Sequence, residues 1–220
     1  MIIDNLIRSK RRSISLEITP DAKLIVRAPN KISLRYIENL VSKKRKWIES
    51  KRMLAYEKYR ATCKKFVSGE EFLYLGRAYS LTITDKQNIP LFFQHEFRLS
   101  KDHLSNARQL FIKWYKNAAL TKIEERLSLY CDMFAFKYNK FNITNAKKRW
   151  GSCSVKGSLN FNWRLIMAPL SVIDYVVTHE LTHLKEKNHS IDFWGKLKTI
   201  FPEYAPAKQW LRKNGHLLII

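Results

Sequence analysis

Two early stretches, SISLEITP and KLIVRAP, alternate apolar and polar residues about the break Asp21-Ala22, a two-residue period that predicts a β-hairpin. From Ser33 to about Arg60 the period lengthens, with Ile37, Leu40, Val41, Trp47 and Ile48 near helical spacing. Three strand candidates follow, EFLYLG, YSLTIT and PLFFQHEFRLS, punctuated by Gly76, Asp85 and Asn88-Ile89-Pro90. A long helix is expected from about His103 to Phe134, with Leu110, Trp114, Ala118, Ile123 and Leu127 in its apolar stripe. FNITNAKKRWGSCS and SLNFNWRLIM read as two strands about the turn Val155-Lys156-Gly157, and Pro169 precedes a final helical stretch. The order of elements is that of an α+β protein.

The final stretch carries the chemistry. VVTHELTHLKEKNHSIDFW (Val176 to Trp194) holds three of the chain's six histidines. Ser171-Val-Ile-Asp174 has the form of a capping box, so a helix is expected to begin there. Ile173, Val176, Val177, Leu181 and Leu184 make its core-facing stripe. His179 and His183 are four residues apart, on one helical face, where their rings can share an ion. Glu180 follows the first of them, within reach of a water held by that ion. Lys187-Asn188 is the expected helix end, because Asn tolerates the left-handed backbone of a chain reversal. Ser190 can cap a second helix with Phe193, Trp194, Leu197 and Phe201 on its apolar face, stopped by Pro202. His189 then lies in the corner between two helices and can supply a third imidazole, leaving one position for water. A metal, an activated water and a carboxylate base make a hydrolytic centre, with Glu180 moving the proton. The electrophile is left open between a peptide carbonyl and a phosphoryl group.

Composition narrows the partners. The 220 residues include 41 Lys and Arg against 19 Asp and Glu, a formal charge of +22. Such a surface attracts polyanions, though solvation alone can also account for it. Its densest run, Lys43, Lys44, Arg45, Lys46, Lys51 and Arg52, forms the basic side of the first helical stretch and is a candidate nucleic-acid surface. No window approaches the roughly 18 unbroken apolar residues of a membrane span. The N-terminus lacks the order of a signal peptide, so a cytoplasmic protein without membrane contact is expected. Cys63, Cys131 and Cys153 are too few and too scattered for a disulfide framework or a C-x-x-C knuckle. Cys153 reads as a small hydrophobe in a strand rather than a fourth ligand.

RWGSCS (Arg149 to Ser154), LNFNWRLIMAP (Leu159 to Pro169), VIDYVVTHELTHL (Val172 to Leu184) and HSIDFW (His189 to Trp194) resemble, in order and spacing, the YgjP-like metallopeptidases, relatives of the SprT/WLM-type zincins. The N-terminal IRSKRRSISLEIT and LIVRAP segments and FLYLGRAYSL extend the resemblance over nearly the whole chain. The resemblance implies one Zn2+ per chain on His179, His183 and His189, with Glu180 catalytic. It implies a zincin-like region of β-hairpin, edge strand, active-site helix and further C-terminal helices, at 102–220. A small basic hairpin-plus-helix region, 1–101, would precede it, unless the two form one compact domain. In zincins an edge strand beside the motif helix pairs with an extended substrate; Ser158 to Trp163 is the candidate, with Asn160 and Asn162 on it and Arg149 and Trp150 facing the cleft. Peptide or unfolded protein is the expected substrate. The alternatives are a metal-dependent nucleoside triphosphate pyrophosphohydrolase and a SprT-like protease docked on DNA or RNA by its basic half. The metzincin pattern needs Gly three residues after the second His; Glu186 stands there, so that turn is absent and the helix is expected to continue to Asn188.

Overall fold

The computed structural model describes residues 3–19, 21–62, 64–85 and 87–220, the side chains of 57–62 excepted. The chain divides into two compact units, 1–63 and 64–220.

The first unit is a three-stranded sheet with two helices. Strands β1 (Asn5–Ser9), β2 (Ser15–Ile18) and β3 (Leu24–Pro29) lie in the order β1-β3-β2, with β2 antiparallel and β1 parallel to β3. The expected hairpin is β2–β3, and Ala22 takes its positive φ, 61°. The single helix expected after it is two, α1 (Leu34–Lys43) and α2 (Arg45–Thr62), interrupted at Lys44. Ser33 Oγ caps the first by accepting from the Tyr36 amide at 3.3 Å. Leu24, Val26 and Ala28 from the sheet and Ile37, Val41 and Ile48 from the helices form a core of their own.

The second unit begins at Lys64, well before the 101/102 boundary that the resemblance implied. Strands β4 (Glu71–Tyr74), β5 (Arg77–Thr84), β6 (Leu91–Phe93) and β7 (Phe97–Ser100) form a sheet in the order β4-β5-β7-β6. Its Phe72 and Phe97 pack on Phe111 of α3 (Ala107–Phe134), with ring centroids 4.2 and 5.0 Å away. That shared aromatic core joins 64–101 to the C-terminal elements. On α3 the buried line is Ala107, Phe111, Tyr115, Ala119, Ile123 and Leu127, so Leu110, Trp114 and Ala118 of the expected stripe flank this line rather than belong to it.

The region read as two strands contains three, β8 (Lys140–Thr144), β9 (Gly151–Cys153) and β10 (Ser158–Asn162), in the order β8-β10-β9. β10 is parallel to β8 and antiparallel to β9. The proposed edge strand, Ser158 to Trp163, is therefore the centre of its sheet, and β9 is an edge. A 3-10 turn, Trp163–Met167, leads to α4 (Leu170–Lys185), followed by α5 (Ile191–Ile200) and α6 (Tyr204–Asn214).

The β4–β5 hairpin sets the start of α4. Its tip, Leu75-Gly76, has both φ values positive, and the two amides donate to Ile166 and Met167 carbonyls at 2.8 and 3.1 Å. A Cβ on Gly76 would meet the Pro169 backbone at 2.9 Å, just before α4 begins. Gly76→Ala is expected to lose about 1–3 kcal/mol through φ strain and this contact, a fall of several degrees in Tm, measured by calorimetry.

Candidate metal centre

Helix α4 starts one residue before the expected cap. Pro169 is its N-cap and makes no side-chain cap bond, Ser171 lies inside the first turn, and Asp174 is not the reciprocal acid of a capping box. The Asp174 carboxylate instead receives Arg126 of α3 through two bonds, Nε at 2.5 Å and Nη2 at 3.1 Å. Burial pushes its pKa up while Arg126 pulls it down. This bidentate pair ties α4 to the long helix. Deeper in α4, buried Thr178 and Thr182 direct their hydroxyls to the Asp174 and Thr178 carbonyls, each at 2.7 Å.

The helix ends at Lys185 rather than Asn188. Glu186 is extended, with φ −120° and ψ 108°, and Asn188 does not take a positive φ. The early exit has a visible cause. The Glu186 carbonyl, freed from the helix, lies 2.9 Å from His183 Nδ1, and the Glu186 carboxylate pairs with Lys196 of α5. Ser190 caps α5 as expected, accepting from the Phe193 amide at 3.3 Å.

This short corner returns His189 onto α4. One potential ligand atom each from His179, His183 and His189 lies within 4.8 Å of the others. Nε2 of His189 and Nε2 of His179 are 3.0 Å apart. Phe193, fully buried, underlies the cluster with its ring centroid 4.6 to 4.9 Å from all three imidazoles.

The donor set fits a divalent cation. A carbonyl only accepts, so His183 carries its proton on Nδ1 and keeps the Nε2 lone pair. Burial, then the neighbouring charges of His183, His189 and Lys208, pushes the His179 pKa down to about 3, leaving that ring neutral at physiological pH. Burial also lowers the pKa of His189. His179 Nδ1 and Glu180 Oε2 are buried with no hydrogen-bond partner.

Glu180 is 5% exposed, and burial raises its pKa to about 8 against the pull of Arg149. Its carboxylate rests on Gly151 of β9: a Cβ there would lie 2.7 Å from Glu180 Cγ and 2.8 Å from Cδ, and would strike Oε1. Gly151 stands within RWGSCS, where the sequence alone assigns it no role. A small residue in a three-residue strand becomes informative only once that strand is known to lie against the motif helix. Arg126 was missed for a related reason, since Asp174 already had a plausible local use as a cap.

The other sequence candidates are placed differently. Arg149 is exposed and near enough to Glu180 to act on its charge. Trp150 is half-buried, and its indole lies where a Cβ on Gly215 would be, 2.8 Å from Cζ2. Asn160 exchanges side-chain bonds with Asn142 and Ser152, and buried Asn162 donates to the Ala146 and Arg149 carbonyls and caps the 3-10 turn through Arg164 N. These two amides are engaged within the fold. In the first unit Arg45 pairs with Glu49 and Arg52 with Asp4. Among the described residues, Lys43, Lys44, Lys46 and Lys51 are exposed and form no such pair. Cys153 is half-buried, and burial raises its thiol pKa.

The model of the YgjP-like metallopeptidase domain matches residues 12–214, and the chain belongs to that family. No curated protein matches it. Two solved structures are similar over part of the chain. The metallopeptidase zymogen abylysin of Pyrococcus abyssi is 22% identical, with TM-score 0.38 over 41% of this chain and 93% of that one. The metallopeptidase zymogen jannalysin of Methanocaldococcus jannaschii is 21% identical, with TM-score 0.38 over 42% and 95%. No helix among the described residues is long and apolar enough to cross a membrane.

If the cluster is a metal site, His183→Ala should abolish tight zinc binding while leaving the helical content intact. Competition with a chromogenic chelator and circular dichroism check the two halves; wild-type affinity in the variant would exclude His183 as a ligand.

Proposed function

We propose that the chain is a zinc-dependent peptidase in which His179, His183 and His189 hold one zinc ion and Glu180 is the general base. The observation that carries this reading is the convergence of three imidazoles beside a buried carboxylate with an unpartnered oxygen. Zinc, when bound, supplies a Lewis acid that acidifies water and polarises a carbonyl.

The chain's own residues complete the chemistry. His183 is held in one tautomer by the Glu186 carbonyl. Glu180, with its proton affinity raised by burial, can accept a proton from water and return it to the leaving amine. Arg149 opposes that rise with its positive charge.

β9 supports peptide as the substrate. The Trp150 carbonyl accepts from Asn162 N and Ser154 N donates to the Ser158 carbonyl, so the even-numbered residues of this strand face β10. Antiparallel alternation then turns the N–H and C=O groups of Gly151 and Cys153 to the open edge. An extended peptide can add as a further strand there, beside Glu180. A triphosphate has less to recommend it, since the sequence contains no Gly-rich phosphate loop.

Glu180→Gln should retain zinc and lose about 10²–10⁴-fold in kcat on labelled unfolded casein. Chelation should silence the wild type, and nucleoside triphosphates in the same assay should remain intact. Unchanged turnover in Glu180→Gln would remove Glu180 from the chemistry, and triphosphate hydrolysis without peptide cleavage would replace the substrate.

A further inference from the structure

β9 and α4 approach so closely that the base has no room beside an ordinary side chain. Any Cβ at position 151 would overlap three consecutive atoms of the Glu180 side chain, Cγ, Cδ and Oε1. The backbone itself does not call for glycine. Gly151 lies in an extended strand paired with Phe161, outside the positive-φ region occupied by Gly69, Gly76 and Gly157. Alanine in this conformation is favoured over glycine by its smaller unfolded-state entropy. The bare Cα at this position therefore serves the contact and not the strand.

We infer that Gly151 is a positioning residue for the base: its missing side chain forms the seat on which the Glu180 carboxylate rests, and fixes how far that carboxylate stands from the imidazole cluster. The inference rests on the proposed role of Glu180. The atoms that must yield to an added methyl are the carboxyl end of a side chain, whereas the α4 backbone is held by Arg126 and by its buried apolar residues. Strain at this point therefore moves the carboxylate before it moves the helix. The same strand edge exposes the Gly151 backbone to substrate, so one residue relates the peptide's register to the position of the base.

Gly151→Ala should keep its zinc and its Tm. Its crystal structure should show the Glu180 carboxylate displaced, and kcat on labelled unfolded casein should fall about 10²-fold, as for a reacting group misplaced by about 1 Å, with KM little changed. Glu180→Ala removes Cγ, Cδ and Oε1, the three atoms that the added methyl would meet. In the Glu180→Ala background the alanine should therefore cost less than threefold of the residual kcat. An undisplaced carboxylate, wild-type kcat, or an equal loss in both backgrounds would overturn the inference. If Glu180→Gln keeps its turnover, the base assignment fails separately, and the position of the carboxylate in Gly151→Ala still tests the seat.

Discussion

The constraint on which the C-terminal unit depends is that α4 must be buried while carrying polar chemistry. Val172, Ile173, Val176, Val177 and Leu181 are packed away from water, and so are Asp174, Thr178, Glu180 and Thr182. A buried polar group left unpaired costs about 1–3 kcal/mol, so each requires a partner. Asp174 has Arg126, the two threonines have carbonyls one turn back, and His183 has the Glu186 carbonyl. His179 Nδ1 and Glu180 Oε2 have none. The unmet polar capacity of the helix is thus concentrated at the HELTH segment, where a ligand rather than the fold can supply the partner.

The neighbouring elements can be understood as responses to that helix. The β4–β5 hairpin grips the turn that precedes it, α3 holds it through Arg126, and α5 places Phe193 beneath the imidazoles. β9 runs against the face that carries Glu180. These elements pack against the α4 side of the cluster while His189 stays exposed, and the low pKa of His179 and the high pKa of Glu180 share burial as their leading cause.

Much of this was legible in the sequence, for identifiable reasons. The HELTH spacing is a local property of a helix, so it places His179 and His183 on one face without knowledge of the rest of the fold. Ser190 announced α5 because a cap is equally local. What escaped was decided at long range. Asp174 looked like a capping acid until Arg126, 48 positions away, took its carboxylate. Glu186, standing where a metzincin turn needs Gly, implied a longer helix, yet its carbonyl is used by His183 and its side chain by Lys196. Strand order could not be read from alternation, so β10 was taken for the edge and the importance of Gly151 in β9 stayed hidden. The basic run at Lys43 to Arg52 was legible as charge, but not the division between arginines paired with Glu49 and Asp4 and lysines that form no such pair among the described residues.

The central claim is that the three imidazoles hold a zinc ion next to a carboxylate base. Anomalous diffraction from zinc-loaded crystals, collected on either side of the zinc absorption edge, tests it most directly. The account predicts one strong peak per chain, bonded to a nitrogen of each of His179, His183 and His189 and adjacent to, but not ligated by, Glu180. A peak at another site, or an imidazole cluster that stays free of metal in excess zinc, would contradict it.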